Sequence, residues 1–424
     1  MQERLLQYIW RFQLYNSNYL FSVCGQPISI YYPGILNKDQ GPDFLNADVA
    51  IGKIRWAGHV ELHVLSSDWK KHQHNLDANY NNVVLHVVWE HDMELNLPFP
   101  TLELKSIVPK LLLEKYEVLM KGDASIPCKS LLKNVDGILI EKCKENMIVE
   151  RLEIKSKKRF FLDSNNPIDW EEYTWRAIAA YFGGKVNGEA FELMAKQIPY
   201  RLLLQNRYDT ANIEALLLGT CGLLDREFKE EYPQMLKVTF EFLSKKYGLN
   251  KMPIPVHFLR MRPAGFPTLR LSQLSQLLLK NEKLFSIMIN ANELDELKYY
   301  FDVSASNYWN EHYVFEVHSS FSEKRLGSSA ILGIITNVAV VLNYAYGVVK
   351  AREDLKQKAI DWLSQLQPEQ NQIIRLFKSL SFEMKSAYDT QAFTHLYREY
   401  CLAKKCMQCV IGYSIINPSR RLNI

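Results

Sequence analysis

The fold is decided by two neighbouring stretches, GPDFLNADVAI at residues 41–51 and HVELHVL at residues 59–65. Apolar residues alternate with other residues in both, and this period of two predicts two strands that each bury one face. Side chains of a strand point alternately to its two faces, so His59, Glu61 and His63 are expected to share one face of the second strand. The pattern therefore predicts a sheet that carries a carboxylate between two imidazoles.

Asp43 is expected at the start of the first strand, facing that carboxylate. Pro42 fixes the chain and removes a backbone donor, and Gly41 permits a tight turn. Magnesium prefers oxygen ligands, commonly one or two carboxylates with waters and substrate oxygens, so Asp43 and Glu61 together offer a site for Mg²⁺ or Mn²⁺. The alternative is structural: Asp43 caps a turn, and Glu61 forms an ion pair with an arginine such as Arg55.

The Pro-Asp pair at 42–43 and the Glu-Leu-His run at 61–63 resemble the motif of the PD-(D/E)XK nuclease superfamily. In that superfamily an Asp and a later Glu or Asp bind magnesium, and a Lys follows two residues after the second carboxylate. The resemblance implies a divalent-metal-dependent phosphodiesterase that acts on nucleic acid, with Asp43 and Glu61 as metal ligands. His63 stands where the Lys is usual; with a reference pKa of about 6.5 it is half neutral near that pH, and it is expected beside the attacking water.

Glu3 lies one turn before Leu6 on the apolar stripe of the predicted first helix, and it is a candidate accessory acid. The runs GPDFLNADVAIG, HVELHVLSSDW and YNNVVLHVV also resemble a bacterial family known as domain of unknown function 2851, over the whole chain. That second resemblance implies no particular activity. A nuclease-fold protein that binds or scaffolds without catalysis stays an alternative, because His63 replaces the usual Lys.

Imidazoles are dense around Glu61. Beyond those on its own strand, the chain places His72, His74, Asp77 and His86 within the next segment. Imidazoles together with a carboxylate suit zinc, manganese or iron better than magnesium, so a His/carboxylate metal hydrolase is a further alternative. A structural explanation is also open, in which His59 or His63 is a core histidine hydrogen-bonded to Asp68 or to a backbone carbonyl.

The length of 424 residues exceeds the usual single-core limit of about 250–300, so two domains are expected. Strand-like runs fill residues 1–108 and helical periodicity dominates residues 109–424. With the resemblance, this predicts an α+β protein: an N-terminal restriction-endonuclease-like mixed-sheet α/β domain followed by a larger all-α domain. The net charge of +4, from 51 Lys and Arg against 47 Asp and Glu, is too small to indicate nucleic-acid binding by itself.

Seven cysteines at scattered spacings argue against a disulfide framework, and the N-terminus lacks the apolar core of a secretory signal, so a cytoplasmic location is expected. Three of the cysteines, Cys401, Cys406 and Cys409, have the spacing C-x4-C-x2-C. Thiolates so spaced are able to hold Zn²⁺ or an Fe–S cluster, with Cys128 or Cys24 as the fourth ligand. The alternative is that Cys406 and Cys409 are small apolar residues on a helix face.

A turn rich in Pro and Gly between residues 260 and 270 carries Arg260, Arg262 and Arg270. Guanidinium groups match phosphates bidentately, so these arginines are candidate nucleic-acid contacts, and Trp69 is a candidate for base stacking. Arginine turns also commonly pair with acidic neighbours, which is the structural alternative.

The segment Ala330–Val349 is apolar and has about the ~20 residues that a helix needs to span a bilayer. It contains Asn337 and Asn343, whose amides are costly to bury in lipid. Its small residues allow close helix packing. We therefore expect a buried core helix of the second domain, and no membrane association.

Overall fold

This computed structural model describes residues 1–37, 39–74, 77–121, 125–160, 168–250, 252, 254–259 and 261–417, with the side chains within them except those of residues 19, 133 and 134. The chain divides into two compact units. The N-terminal unit comprises Met1–Cys143 together with the C-terminal segment from Arg398, and the helical unit comprises Lys144–Tyr397.

The sheet of the N-terminal unit consists of β1 (Ile28–Tyr32), β2 (Ile35–Leu36), β3 (Phe44–Ile51), β4 (Ile54–Leu65), β5 (Val83–Glu90) and β6 (Thr101–Glu103). Its order is β1-β3-β4-β5-β6, and β2 pairs with β3. The pairs β1–β3 and β3–β4 are antiparallel, whereas β4–β5 and β5–β6 are parallel. The expected mixed sheet is thus confirmed, and β5, which pairs with a strand on each side, is largely buried.

A bulge changes the alternation that the sequence suggests at the start of β3. The pairing of β3 with β4 shifts between Phe44 and Ala47, where Asn46 takes a φ of 56°. The extra residue reverses which side chains face the core before the bulge, as bulges do. Phe44 is therefore fully buried, whereas Leu45 is only partly buried.

The helices in chain order are α1 (Glu3–Arg11), α2 (Asp68–Lys71), α3 (Lys110–Lys121), α4 (Gly137–Phe160), α5 (Trp170–Gln197), α6 (Tyr200–Asn206), α7 (Thr210–Thr220), α8 (Glu231–Tyr247), α9 (Pro267–Lys280), α10 (Leu284–Asn290), α11 (Leu294–Phe301), α12 (Ser328–Ile334), α13 (Val340–Val349), α14 (Glu353–Gln365), α15 (Gln372–Lys378), α16 (Ala387–His395) and α17 (Val410–Ile416). The apolar stripe of α1 is buried against the sheet through Leu6, Ile9 and Trp10. The predicted first helix is thus present, with Glu3 at its first turn.

The division between the units differs from the predicted boundary at residue 108. Helix α3 contributes Leu112, Tyr116 and Leu119 to the core under the sheet, and α17 contributes Ile416 to the same core. Burial of these apolar side chains ties both helices to the N-terminal unit. The sequence holds no Gly/Ser- or Pro-rich linker that would have marked the division.

The helical unit is not all-α as expected. It contains a short antiparallel hairpin of β7 (His312–Val314) and β8 (Val317–His318), in which His312 pairs with His318. Strands this short carry too few residues for a periodic signal, so helical periodicity on both sides hides them.

The apolar segment after residue 328 is a core helix, as predicted. Helices α12 and α13 join through a π-helical turn, and 72% of the most apolar window is buried inside the protein. Asn343 donates to the backbone oxygen of Met288 at 2.9 Å, and Asn337 accepts from Lys155 at 2.8 Å. Gly333 packs so closely on Tyr181 that a Cβ would collide with the tyrosine hydroxyl. This burial is consistent with a soluble protein.

Candidate metal centre

Three histidines and one glutamate converge at one edge of the N-terminal sheet. Strand β4 supplies Glu61 and His63, and the chain that follows α2 supplies His72 and His74. Because β4 and β5 run parallel with Glu61 opposite His86, the imidazole of His86 comes to lie directly behind His63. The α2 crossover between parallel strands is therefore the element that completes the site.

The nitrogen and oxygen atoms of this cluster are spaced like ligands of one ion. His63 Nε2 lies 3.2 Å from His72 Nδ1, 3.2 Å from His74 Nε2 and 3.6 Å from Glu61 Oε1. His74 Nε2 lies 3.4 Å from the same Glu61 oxygen. Tetrahedral zinc with bonds of about 2.0–2.1 Å separates its ligands by about 3.3–3.4 Å. The ligand nitrogens of His63, His72 and His74 all lie within 4.8 Å of one another, as ligands of one transition-metal ion would, and Glu61 Oε1 lies beside two of them.

Hydrogen bonding alone does not account for the two nitrogens that lie close to His63 Nε2. A neutral imidazole nitrogen either donates one hydrogen bond or accepts one, yet this atom faces two nitrogens at the same distance of 3.2 Å. The opposite nitrogen, Nδ1, lies 2.9 Å from His86 Nε2, and His86 Nδ1 lies 3.4 Å from the hydroxyl of Thr101. When Nδ1 donates along this chain, Nε2 keeps the lone pair that a metal requires.

Burial favours the neutral form of His63, His74 and His86. It lowers the pKa of His63 to about 3, with further lowering from His86, His74 and His72. Burial also lowers the pKa of His86 to about 3, and it lowers the pKa of His74. A metal ligand must be the neutral base, so these shifts favour coordination at neutral pH.

A second layer of the site is acidic. Asp43 Oδ2 accepts from the backbone N–H of Leu62 at 3.0 Å, and Glu61 Oε2 accepts from the backbone N–H of Asp43 at 3.0 Å. Gln7 of α1 donates to the other oxygen of Asp43 at 2.7 Å. These bonds leave Glu61 Oε1 directed at the imidazoles.

The two carboxyl groups resist ionisation without a cation. Burial raises the pKa of Asp43, and the nearby charge of Glu3 raises it further. Burial likewise raises the pKa of Glu61, followed by repulsion from Asp43. A bound divalent ion would offset both the burial and the repulsion.

Two of the partners that the structural alternatives named, Arg55 for Glu61 and Asp68 for His63, have other contacts, although His63 is buried and hydrogen-bonded as a core histidine would be. Arg55 pairs with Asp48 at 2.5 Å, whereas Glu61 accepts from the backbone of Asp43. His63 is hydrogen-bonded to His86 and faces two further histidines, and Asp68 instead accepts from the backbone N–H of Leu65 and from Lys71.

His59 does not join the site, although it shares the face of Glu61. Its ring accepts the backbone N–H of Asn46 at the bulge, at 3.3 Å. Glu3 is exposed at the first turn of α1, and its charge acts on both Asp43 and Glu61. Gln7 was not expected here; its signal in the sequence is its position one helical turn after Glu3, on the same face of α1.

The residues predicted to contact nucleic acid differ in their exposure to solvent. Trp69 is only 4% exposed and contacts the rings of His63, His74 and His86 edge-on. It therefore has no free face for base stacking, and it packs against the candidate metal centre instead. Arg262 is exposed before the turn at Pro263–Gly265 in the helical unit.

Arg270 lies on α9, where burial lowers the pKa of its guanidinium, and it donates to Gln273 at 3.1 Å. Burial of that kind leaves little of this side chain for a phosphate. Arg260 lies outside the described residues.

Five cysteines of the N-terminal unit lie close enough to influence one another's ionisation: Cys128, Cys143, Cys401, Cys406 and Cys409. Burial raises the pKa of the Cys128 thiol to about 12, and Cys409 and Cys406 raise it further. Cys143, which the sequence did not single out, shares a hydrogen bond with Cys409.

The alternative for Cys406 and Cys409 is confirmed in their burial, since they are 6% and 8% exposed, but not in the shared helix face. Cys406 begins a 3-10 turn and Cys409 caps α17, so the two do not share a helix face. Gly412 sits against the backbone of Cys406, where a Cβ would clash. Cys24 is exposed.

We expect the cysteine group to hold iron and sulfide when the protein is prepared without oxygen. Among the described residues, no three of these sulfurs lie within 4.8 Å of one another. Around one zinc ion, with Zn–S bonds of about 2.3 Å, they would be closer, whereas an Fe–S cluster spreads its ligands. Elemental and sulfide analysis of Cys406→Ser beside a Cys24→Ser control checks this. Less than about 0.1 iron atom per wild-type chain would contradict it.

Comparison with known proteins gives one match. A family model described as a protein of unknown function (DUF2851) matches residues 3–372. No curated protein and no solved structure matches the chain. The matched range contains every residue of the metal centre and most of the helical unit. Because it covers well over half of the 424 residues, the chain belongs to the DUF2851 family of proteins of unknown function.

Proposed function

We propose that the N-terminal unit is a divalent-metal-dependent phosphodiesterase that acts on nucleic acid and binds a transition metal through His63, His72, His74 and Glu61. The observation that carries the proposal is the convergence of three imidazoles, with His63 Nε2 3.2 Å from a ring nitrogen of His72 and of His74, and Glu61 Oε1 3.4–3.6 Å from His74 and His63. Three imidazoles and a carboxylate select zinc or manganese over magnesium.

Access to the centre supports a catalytic role over a purely structural one. His63 and Glu61 are buried, whereas His72 is exposed, so the centre opens to solvent on the side of His72. Structural zinc sites are closed by four tight protein ligands, and catalytic sites keep one position for water or substrate. In this centre the three imidazoles are the mutually close ligands, and Glu61 Oε1, at 3.4–3.6 Å from two of them, is the ligand that water or substrate would replace.

Each side chain has a distinct task in the proposed reaction. A divalent ion held by His63, His72, His74 and Glu61 would polarise the scissile phosphodiester and lower the pKa of water. His86 orients His63 through the 2.9 Å contact between their rings. Asp43, which lies beside Glu61 through the 3.0 Å bond from its backbone N–H, is the candidate base that accepts a proton from the attacking water. The choice of nucleic acid as substrate rests on the resemblance of the Asp43 and Glu61 motifs to PD-(D/E)XK nucleases.

A second candidate uses magnesium on the acidic side of the site. Glu3, Asp43 and Glu61 lie within electrostatic range of one another, and both buried carboxyl groups have raised pKa values. A Mg²⁺ ion held by these oxygens would relieve that repulsion. In this second candidate the histidines do not bind the metal, and they have only a structural role.

The test is a hydrolysis assay with full-length protein on single- and double-stranded DNA and RNA, supplied separately with Mn²⁺, Zn²⁺ and Mg²⁺. We expect cleavage with a transition metal, its loss in His72→Ala and its retention in His59→Ala. His59 is a matched control because it lies on the same strand outside the cluster.

Other outcomes contradict the proposal in distinguishable ways. Unchanged cleavage in His72→Ala and Glu61→Ala would place the reaction elsewhere. Cleavage with Mg²⁺ that Asp43→Ala abolishes and His72→Ala preserves would establish the second candidate. Metal binding without cleavage of any substrate would favour a non-catalytic scaffold.

A further inference from the structure

The helical unit contains a second group of metal-ligand side chains, unrelated to the first in sequence. Two histidines of the β7–β8 hairpin, His312 and His318, face Glu230, which immediately precedes α8. His312 Nε2 lies 3.6 Å and His318 Nε2 lies 3.4 Å from the same oxygen, Oε1 of Glu230. The ligand atoms of the three residues all lie within 4.8 Å of one another.

The ring of His312 is oriented as a metal ligand would be. Its Nδ1 lies 2.9 Å from the backbone oxygen of Tyr308, an acceptor only, so Nδ1 carries the proton and Nε2 keeps its lone pair. The ring also stacks on Tyr308, with centroids 4.1 Å apart and planes 3° from parallel. His312 is 4% exposed, and among the described residues its Nε2 has no hydrogen-bond partner. A buried, unpartnered nitrogen is costly unless something outside the chain binds it.

Glu230 is held in a complementary way. The hydroxyl of Tyr308 donates to Oε2 of Glu230 at 2.5 Å, which leaves Oε1 directed at both imidazoles. Tyr308 therefore supports two of the three ligands, one through its backbone and one through its side chain. The separations of 3.4 and 3.6 Å exceed those of good hydrogen bonds, and they match two ligands of one tetrahedral ion with bonds of about 2.0–2.2 Å.

We propose that Glu230, His312 and His318 form a second centre for a divalent transition metal of the zinc class. Two imidazoles and one carboxylate suit zinc better than magnesium or calcium. The side chain of His318 is 70% exposed, so the fourth ligand is water from the solvent. The ion joins the β7–β8 hairpin to the start of α8. This centre stands independently of the proposed phosphodiesterase activity.

The test uses full-length protein, reduced and stripped of metal, in a His72→Ala background that removes the N-terminal centre. Equilibrium dialysis and calorimetry with Zn²⁺ alone give the number of ions bound. We expect His318→Ala to bind one equivalent less than its parent, and His257→Ala to bind the same number. His257 is an exposed histidine of the same unit, and because His318 is exposed too, both variants are expected to fold.

A conservative variant adds a readout that folding alone would not change. Tyr308→Phe keeps all three ligands but removes the hydroxyl that holds Glu230, so we expect zinc affinity to fall by about 10–100-fold while the stoichiometry stays the same. Circular dichroism verifies the fold of each variant. Equal zinc stoichiometry and affinity in His318→Ala and its parent would overturn the proposal.

Discussion

Replacing both His72 and His74 by alanine is expected to remove one equivalent of bound metal from the protein and to weaken metal binding by more than about 100-fold. Loss of a residue that merely orients a ligand costs about 10–100-fold, and here two direct ligands are lost. Both residues follow α2 on the surface side of the site, with His72 exposed and His74 partly buried, so the fold is expected to survive. Elemental analysis and zinc titration of the purified variant measure the effect.

The control for this double variant is His59→Ala. His59 accepts only a backbone hydrogen bond from Asn46, so its loss is expected to leave the metal content unchanged. The two other candidate metal groups, the C-terminal cysteines and the Glu230 group, are the same in all these proteins, so any metal that they bind does not affect the difference. Metal content that is equal in the double variant and the wild type would show that these histidines are not ligands.

Glu61→Gln is expected to stabilise the metal-free protein at pH 8 and, at the same time, to weaken its metal binding. Burial, followed by repulsion from Asp43, raises the pKa of Glu61 from 4.5 to about 9. The folded state therefore binds a proton more readily than the unfolded state between these values, and metal-free stability falls as the pH rises through that window. A neutral amide removes this cost, a gain on the order of a few kcal/mol at about 1.4 kcal/mol per pKa unit.

Urea unfolding of metal-free protein at pH 5 and pH 8 measures the expected difference. The contribution of Glu61 to the free energy of unfolding should make the wild type more stable at pH 5 than at pH 8. In Glu61→Gln this part of the pH dependence should be lost. Asp48→Asn on the neighbouring strand is the matched control. The Asp48 side chain pairs with Arg55, which lowers the pKa of Asp48, so loss of this carboxylate should reduce the free energy of unfolding at pH 8. A Glu61→Gln protein less stable than wild type at pH 8 without metal would contradict the argument.

Much of the N-terminal sheet was determined by the sequence alone. The period of two in β3, β4 and β5 decides which side chains are buried, because a strand exposes alternate residues to opposite faces. The same pattern predicted that Glu61 and His63 share one face. Pro42 and Gly41 predicted that Asp43 lies at the start of β3, facing Glu61. The core helix after residue 328 was equally predictable. Its length and apolar character also fit a membrane span, but the amides of Asn337 and Asn343 need hydrogen-bond partners that lipid does not offer.

Local pattern was insufficient wherever backbone irregularity intervened. The bulge at Asn46 reversed the burial of Phe44 and Leu45, and no residue type there demands a bulge. The boundary between the units depends on where α3 and α17 bury their apolar sides, which is a contact between distant parts of the chain. Sequence spacing carries no information about such contacts unless a linker marks them.

The set of candidate metal ligands was decided by the tertiary structure. Among the histidines that follow Glu61, only the crossover through α2 brings His72 and His74 back to His63, and only the parallel register of β4 and β5 sets His86 behind it. The second centre depends still more on the fold, because Glu230 and the two hairpin histidines lie far apart in the chain. A sequence shows which residues are able to bind a metal, but a metal site requires their lone pairs to meet at one point, and that convergence is a property of the packed backbone.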